Sequence, residues 1–194
     1  MFNPQPTTLT TDKVVLEPLT YDDVVAFQAA GAPDEIWRWM PVHRCENRKV
    51  AAETVNNALA ATEAGEQVAF KIVDRYSGKL VGSTRYLSIE REHRTLEIGH
   101  TFIHPDFQRT HVNTHAKFLL LSHAFEQLNA NRVQLKTHEN NQNSRRAIAR
   151  VGGQFEGIIR NERLNPDGTA RSSACFSIVP AEWPQLKLRL ASLL

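Results

Sequence analysis

The feature that most constrains the fold is a change of hydrophobic pattern in the middle of the chain. Between residues 67 and 103, three apolar or alternating runs cover Val68 to Val73, Leu80 to Ile89 and Thr95 to Ile103, with short polar turns between them. Runs of this length and alternation are typical of β-strands, and short turns connect antiparallel neighbours. The segment therefore predicts an antiparallel meander of three strands.

A different alternation follows the meander. The pattern predicts a long, mostly apolar helix from Thr114 to Leu128, a strand from Arg132 to Thr137, and a helix from Ser144 to Val151 that ends at Gly152-Gly153. Strand, helix, strand, helix indicates a βαβ crossover, which would lie beside the meander.

The remaining segments complete the predicted architecture. These elements are, in chain order, a strand over 14–19, a helix over 21–30, a helix over 48–64 with Asn47 as its N-cap, a hairpin of strands over 158–164 and 173–179, and a closing helix over 183–194. Together they predict one α/β (α+β) domain over residues 1–194. Its central sheet is expected to be mixed, mostly antiparallel, of about seven strands, and flanked by helices.

Composition excludes several classes of protein. A hydrophobic fraction of 41% and a charged fraction of 23% match ordinary globular proteins rather than disordered or fibrous ones. The net charge of +2 gives no general attraction to nucleic acid. Cys45 and Cys175 form no CxxC pair, so neither a zinc finger nor a disulfide framework is indicated. Without a signal sequence or a membrane-spanning run, we expect a cytoplasmic protein with no membrane partner.

One loop has the character of an anion site. The segment from Ile103 to Thr114 joins a predicted strand to the long helix through a proline break. Free backbone N–H groups at a helix start, with the positive end of the macrodipole behind them, suit a phosphate or pyrophosphate. Arg109 and Lys117 would add positive charge. From the local sequence alone, an ordinary strand-to-helix connection is the alternative.

This loop resembles the cofactor motif of the GNAT acetyltransferase superfamily, which reads roughly Val/Ile-x-Pro-x-x-Gln/Arg-x-x-Gly-x-Gly/Ala. Ile103, Pro105 and Gln108 match that motif. The two glycine positions depart from it, because His111 and Asn113 occupy them.

Neighbouring motifs are similar to the RimJ/RimL-like branch of the same superfamily. They are Glu97-Ile98-Gly99-His100-Thr101-Phe102, Val112-Asn113-Thr114 with Ala116-Lys117, and Asn141-x-x-Ser144-Arg145-x-Ala147-Ile148-x-Arg150-x-Gly152. The resemblance covers about residues 12–185 and implies a GNAT-like fold that binds acetyl-CoA. It further implies transfer of the acetyl group to a primary amine, by direct attack in a ternary complex.

The resemblance points to a protein N-terminal α-amine as acceptor. A small-molecule amine is the alternative, and a CoA-binding protein with weak or lost catalysis is another. A homodimer is compatible with all three. No nucleic-acid partner is expected.

The resemblance also implies individual site residues. Cofactor contacts are expected from Thr101, Phe102, Ile103, Gln108, Arg109, Thr110, His111, Val112, Asn113, Thr114, Asn141, Ser144 and Arg145. Glu97 is the expected base, acting through water, with a surface glutamate as the alternative. A backbone N–H near Phe102 or Ile103 would stabilise the oxyanion, and Ser144 would reach the leaving thiolate. Asn141 is also a natural N-cap, and both of its roles can hold together.

His111 raises a specific question. Histidine has some tolerance for positive φ, so it could preserve the shape of a glycine loop and place an imidazole beside the pyrophosphate. It could equally crowd that site. Five of the eight histidines lie between His93 and His115, which suggests a metal site as a rival hypothesis. The stretch lacks a His-Glu-x-x-His motif and a nearby cysteine, so no metal is expected.

The connection after the first predicted helix is rich in large side chains. Trp37, Trp39, Met40, Pro41 and His43 lie in this segment, which borders the acceptor pocket in the family fold. Trp37 and Trp39 are therefore expected to contact the substrate, together with Glu97. Core packing or a dimer contact is the alternative role for these aromatic residues.

Overall fold

The computed structural model describes residues 2–40 and 43–194. Its strands are β1 (Leu9–Thr10), β2 (Val14–Pro18), β3 (Val68–Asp74), β4 (Lys79–Glu90), β5 (Thr95–Ile103), β6 (Arg132–His138), β7 (Gln154–Leu164) and β8 (Ala170–Ile178). Its helices are α1 (Val24–Gly31), α2 (Arg48–Glu63), α3 (His111–Ser122), α4 (Gln142–Arg150) and α5 (Trp183–Ala191).

All the strands belong to one mixed sheet in the order β1-β2-β3-β4-β5-β6-β8-β7. Neighbouring strands pair antiparallel throughout the described chain, except for the parallel pair of β5 and β6. The predicted meander, crossover and hairpin are therefore confirmed. Over the described residues the sheet has eight strands instead of about seven, because the two-residue β1 pairs with β2 and is too short to give a periodic signal.

Two hydrophobic cores cover the two faces of the sheet. The larger core includes Val112 of α3, Ile148 of α4 and Leu186 of α5. The smaller core lies under α1 and α2, where the ring of Phe102 packs against Phe27 at a centroid distance of 5.1 Å. The α1 and α2 face and the α3, α4 and α5 face are thus separated by the sheet.

The sheet opens between β5 and β6. These strands pair only from Thr95 to Glu97 with Arg132 to Gln134, although both run on beyond this point. Within the described strands, the carboxyl-terminal halves of β5 and β6 are therefore not paired with each other. Helix α3 follows β5 and helix α4 follows β6, so both helices begin near this opening. We refer to it as the slit.

Helix boundaries differ from the prediction at α3. The helix begins at His111, three residues before the predicted start, because the Thr110 hydroxyl accepts a hydrogen bond from the Val112 amide. It continues after Ser122 as one π-helical turn over His123–Gln127, for which the apolar spacing gives no signal. Among the described helices, none is long and apolar enough to span a membrane.

Candidate active site

Glu97 lies at the base of the slit, in the last residue pair before β5 and β6 separate. The residue is only 5% exposed, so the surface-glutamate alternative is wrong. Glu97 Oε2 accepts a hydrogen bond from Gln134 Nε2 at 3.3 Å and lies 3.2 Å from Lys136 Nζ. A Cβ on Gly99 would come within 2.9 Å of Glu97 Oε1. Glycine at position 99 therefore leaves the room that this carboxylate occupies.

Lys136 is a site residue that the sequence reasoning missed. It bridges Glu97 to Glu162, whose Oε1 accepts a hydrogen bond from Lys136 Nζ. Burial opposes the charge of this amine, but the hydrogen bond with Glu162 and the charge of Glu97 raise its pKa. The available signal was the alternation in β6, which places Gln134 and Lys136 on one face and Leu135 in the core.

The loop before α3 is braced by its own side chains. Gln108 Nε2 donates to the carbonyl of Ile103 at 2.9 Å, and the Thr110 hydroxyl donates to the carbonyl of Phe107 at 2.7 Å. Arg109 is the residue with left-handed backbone torsions, at φ 60°. His111 is helical instead, so the expectation that it maintains the loop through a positive φ is wrong.

The imidazole of His111 is directed to the end of β3. Its Nε2 lies 2.9 Å from Asp74 Oδ1, and its ring meets the rings of Tyr76 and His115 edge-on. Asp74 is 2% exposed; burial opposes its charge, while hydrogen bonds from Ser77 and His111 lower its pKa. Within residues 2–40 and 43–194, no three His, Cys, Asp or Glu side chains are grouped to hold a metal.

Lys117 does not supply charge to the loop, contrary to the expectation from sequence. It lies two helical turns further along α3, and its side chain is buried. Lys117 Nζ donates to Thr101 Oγ1 at 2.8 Å, and Thr101 Oγ1 lies 2.8 Å from Thr84 Oγ1. Burial lowers the pKa of the Lys117 amine to about 7. The Thr101 hydroxyl is therefore engaged by the protein.

Several of the expected cofactor residues have buried side chains. Phe102 belongs to the smaller core, while Ile103 and Val112 belong to the larger one. The Thr114 hydroxyl accepts a hydrogen bond from Arg150 Nη2 at 3.3 Å, which links α3 to α4. At these four positions the side chain is already packed or hydrogen-bonded, so a ligand would contact the backbone. At Asn113, in the first turn of α3, the side chain is half-buried.

The start of α4 has the geometry expected from sequence for an N-cap. Asn141 Oδ1 accepts from the Ser144 amide at 3.0 Å, which confirms the capping role of Asn141. The Ser144 side chain is half-buried, and its hydroxyl has no hydrogen bond to any described residue. Arg145 donates from Nη1 to the Glu139 carbonyl at 3.0 Å and lies over the Phe155 ring. Its guanidinium is thus held by the protein itself.

The aromatic residues after α1 have separate roles. Trp37 is 5% exposed, and its Nε1 donates to the carbonyl of Gly31 at 2.7 Å, so its role as a substrate contact is wrong and core packing holds. Trp39 is half-buried, with its ring 5.0 Å from that of His138 at the end of β6. Pro41 lies outside the described residues.

Comparisons with known proteins agree with this geometry. Residues 13–154 match the family model described as the acetyltransferase (GNAT) domain. An uncharacterized N-acetyltransferase, YoaA of Bacillus subtilis strain 168, is 25% identical over 171 residues, covering 88% of this chain and 96% of the relative. The crystal structure of a GCN5-related N-acetyltransferase from Brucella melitensis superposes with a TM-score of 0.91 at 27% identity, over 98% of this chain and 86% of that one.

A further solved structure shares the fold. Mycobacterium smegmatis RimJ, in complex with CoA-disulfide, has a TM-score of 0.83 at 22% identity, over 97% of this chain and 95% of that one. The family match covers well over half of the chain and agrees with the sheet order and with the resemblance found in the sequence. The chain therefore belongs to the GNAT family of acetyl-CoA-dependent N-acetyltransferases.

Proposed function

We propose that this protein transfers an acetyl group from acetyl-CoA to a primary amine by direct attack in a ternary complex. The observation that carries the proposal is the slit, with the buried carboxylate of Glu97 at its base. A split between parallel strands admits an extended chain into the sheet. The N-termini of α3 and α4 provide donors for anionic groups near the same opening.

The residues present fit a CoA ligand. The backbone amides from Arg109 to Thr114 would hold the pyrophosphate, because the first turn of a helix leaves its N–H groups without helical partners. The left-handed torsion at Arg109 supports a shaped loop despite the loss of both motif glycines. Asn141 and Ser144 would meet the extended arm of the ligand, and the side chain of Asn113 would lie beside the loop.

The proposed chemistry assigns one task to each group. Bound acetyl-CoA supplies the acetyl group as a thioester, whose C–S bond breaks as the amine nitrogen bonds to the acetyl carbon. Glu97 accepts a proton from the incoming ammonium through water, and that proton passes to solvent. Ser144 donates the proton that the departing sulfur takes up, and it regains one from the acetylated nitrogen through solvent. A backbone N–H near Phe102 or Ile103 stabilises the developing oxyanion.

For the acceptor we propose a protein N-terminal α-amine, with a small-molecule amine as the alternative. The support for the former is the resemblance of the sequence motifs to the RimJ/RimL-like branch. Trp39 is the aromatic residue that we place at the acceptor side, since it reaches the end of β6 from the α1 side of the sheet.

Ligand-dependent stability separates this proposal from the metal hypothesis. We expect acetyl-CoA and CoA each to raise the melting temperature by several degrees at about 100 times their Kd, because a ligand at that concentration stabilises the native state by about 2.7 kcal/mol. Zinc should have no comparable effect. Stabilisation by zinc alone would contradict the proposal. A panel of amines, followed by release of free thiol, then distinguishes an enzyme from a CoA-binding protein.

The role of Ser144 can be tested by Ser144→Ala. The backbone N–H that Asn141 caps is kept, so the fold should be unchanged. We expect kcat to fall about 100-fold, since a positioned proton donor is replaced by water, while the KM for acetyl-CoA changes little. Asn143→Ala, one residue away on the exposed side, is the matched control. An unchanged kcat in both variants would remove Ser144 from the mechanism.

A further inference from the structure

Four arginines converge on the Glu97 face of the sheet, from four separate parts of the chain. They are Arg44 before α2, Arg85 on β4, Arg163 on β7 and Arg171 on β8, and we call them the arginine cluster. Arg163 and Arg171 are direct cross-strand partners. Burial, followed by the charges of Arg85, Arg44 and Arg163, lowers the pKa of His100 in β5 to about 3. Burial and the charge of Arg163 likewise lower the pKa of Arg171.

The arginine cluster shares its face with the proposed base. Arg85 pairs with Gly99 across β4 and β5, and directly opposed residues project to the same side of a sheet. Position 99 also faces Glu97, because a Cβ there would touch Glu97 Oε1. The arginine cluster therefore adjoins the acceptor side of the reaction centre. The pyrophosphate amides belong to α3, whose side chains pack on the opposite face.

Positive charge in this region exceeds the available negative charge. Glu97 pairs with Lys136, and Glu162 also pairs with Lys136. Among the described residues, the only salt bridge of the arginine cluster joins Arg163 to Glu162 at 3.9 Å. Glu97 and Glu162 are thus shared by Lys136 and Arg163, and Arg44, Arg85 and Arg171 have no salt bridge to a described residue.

Buried polar atoms in this region also lack partners. Arg85 is only 6% exposed; its Nη1 donates to Gln67 Oε1 at 3.3 Å, while its Nε has no partner in the described chain. The same holds for Arg171 Nε and His100 Nδ1. A buried charged group without a partner is costly, so such atoms call for an anionic ligand. Consistently, burial and the charge of Arg44 lower the pKa of Arg85 to about 10.

We infer that the arginine cluster binds an anionic group of the acceptor, so that the preferred substrate is an amine that also carries a carboxylate or a phosphate. This inference rests on the proposed acetyl transfer and names its substrate class. Guanidinium groups suit both anions, because their N–H groups bind two oxygens at once. His100 would add one neutral hydrogen bond.

Paired acceptors that differ in charge test the inference. Peptides beginning Ser-Glu-Glu, Ser-Gln-Gln and Ser-Lys-Lys test a carboxylate source, and O-phosphoethanolamine against ethanolamine tests a phosphate source. We expect kcat/KM for at least one anionic acceptor to exceed that of its neutral partner about tenfold or more, as a charged hydrogen bond allows. Equal rates within both sets would overturn the inference while leaving the acetyl transfer intact.

Variants assign that preference to the arginine cluster. Arg171→Gln should raise the KM for the anionic acceptor about tenfold, with the neutral acceptor and acetyl-CoA nearly unaffected. Arg160→Gln, an exposed arginine on β7 outside the arginine cluster, is the matched control. If Arg171→Gln and Arg163→Gln each keep the full preference for the anionic acceptor, the arginine cluster is not the anion site.

A binding measurement keeps the two proposals distinct. If no amine releases thiol, the proposed activity fails, and inorganic phosphate then tests the anion site directly. We expect phosphate to stabilise the parent protein and Arg160→Gln against heat, and to stabilise Arg171→Gln less. Equal stabilisation of all three proteins would exclude the anion site even if acetyl transfer is observed.

Discussion

We expect Glu97→Gln to lower kcat about 100-fold or more, because a positioned general base contributes about 10²–10⁴ to the rate. The substitution keeps the size of the side chain and removes its ability to accept a proton. The KM for acetyl-CoA should stay nearly constant, since Glu97 lies at the base of the slit and not at the loop before α3. Steady-state release of free thiol measures both quantities.

Loss of the ion pair needs its own control. In Glu97→Gln, Lys136 retains Glu162 as a partner, so the lysine is not left buried alone. Glu92→Gln, in the exposed turn between β4 and β5, removes the same charge away from the slit. If acetyl-CoA binding fails instead, the role assigned to Glu97 is wrong.

Lys117→Met should stabilise the protein at pH 7 by about 4 kcal/mol. Burial lowers the pKa of this amine from 10.5 to about 7, and each pKa unit corresponds to about 1.36 kcal/mol. Between these two values the unfolded chain binds a proton that the native protein lacks, so the parent gains stability as the pH rises. Methionine has no proton to lose, so the gap between the two proteins should close toward pH 10.5.

Urea unfolding at pH 7 and pH 10 measures this difference. Lys49→Met, on the exposed side of α2, removes one lysine that does not lie in the core, and should change stability little at either pH. A gap that is equal at both pH values would contradict burial of a neutral Lys117. In that case the stabilisation would come from packing alone.

Most of the fold was predictable because its signals are local. Asn47 caps α2 with a hydrogen bond from its side chain to the Val50 amide, as the sequence indicates. Alternation defined the meander and the final hairpin. Two features were not predicted. The strand β1 has only two residues and therefore no period, and the π-helical turn over His123–Gln127 changes the helical pitch without changing the apolar spacing.

The site was harder to predict, because side-chain direction depends on tertiary packing. Lys117 reads as a charge near the loop and is buried beneath β5. Trp37 was expected to contact the substrate, with core packing as an alternative, and it packs in the smaller core. The arginine cluster forms no sequence motif, since its members are distant in sequence and meet only when the sheet forms. Asn141 and Glu97 could be predicted as site residues because the family resemblance assigns roles to both positions.

The slit brings two strand edges to face each other inside a single sheet. Where β5 and β6 part, no neighbouring strand pairs with their inner backbone groups in the described chain. Such edges accept an extended partner as a missing strand, through main-chain hydrogen bonds. Acetyl-CoA bound in this way, as we propose, would be recognised by the shape of the backbone more than by the identity of the side chains. Many side chains could then change during evolution without loss of acetyl-CoA binding, which is consistent with a TM-score of 0.91 to a relative of 27% identity.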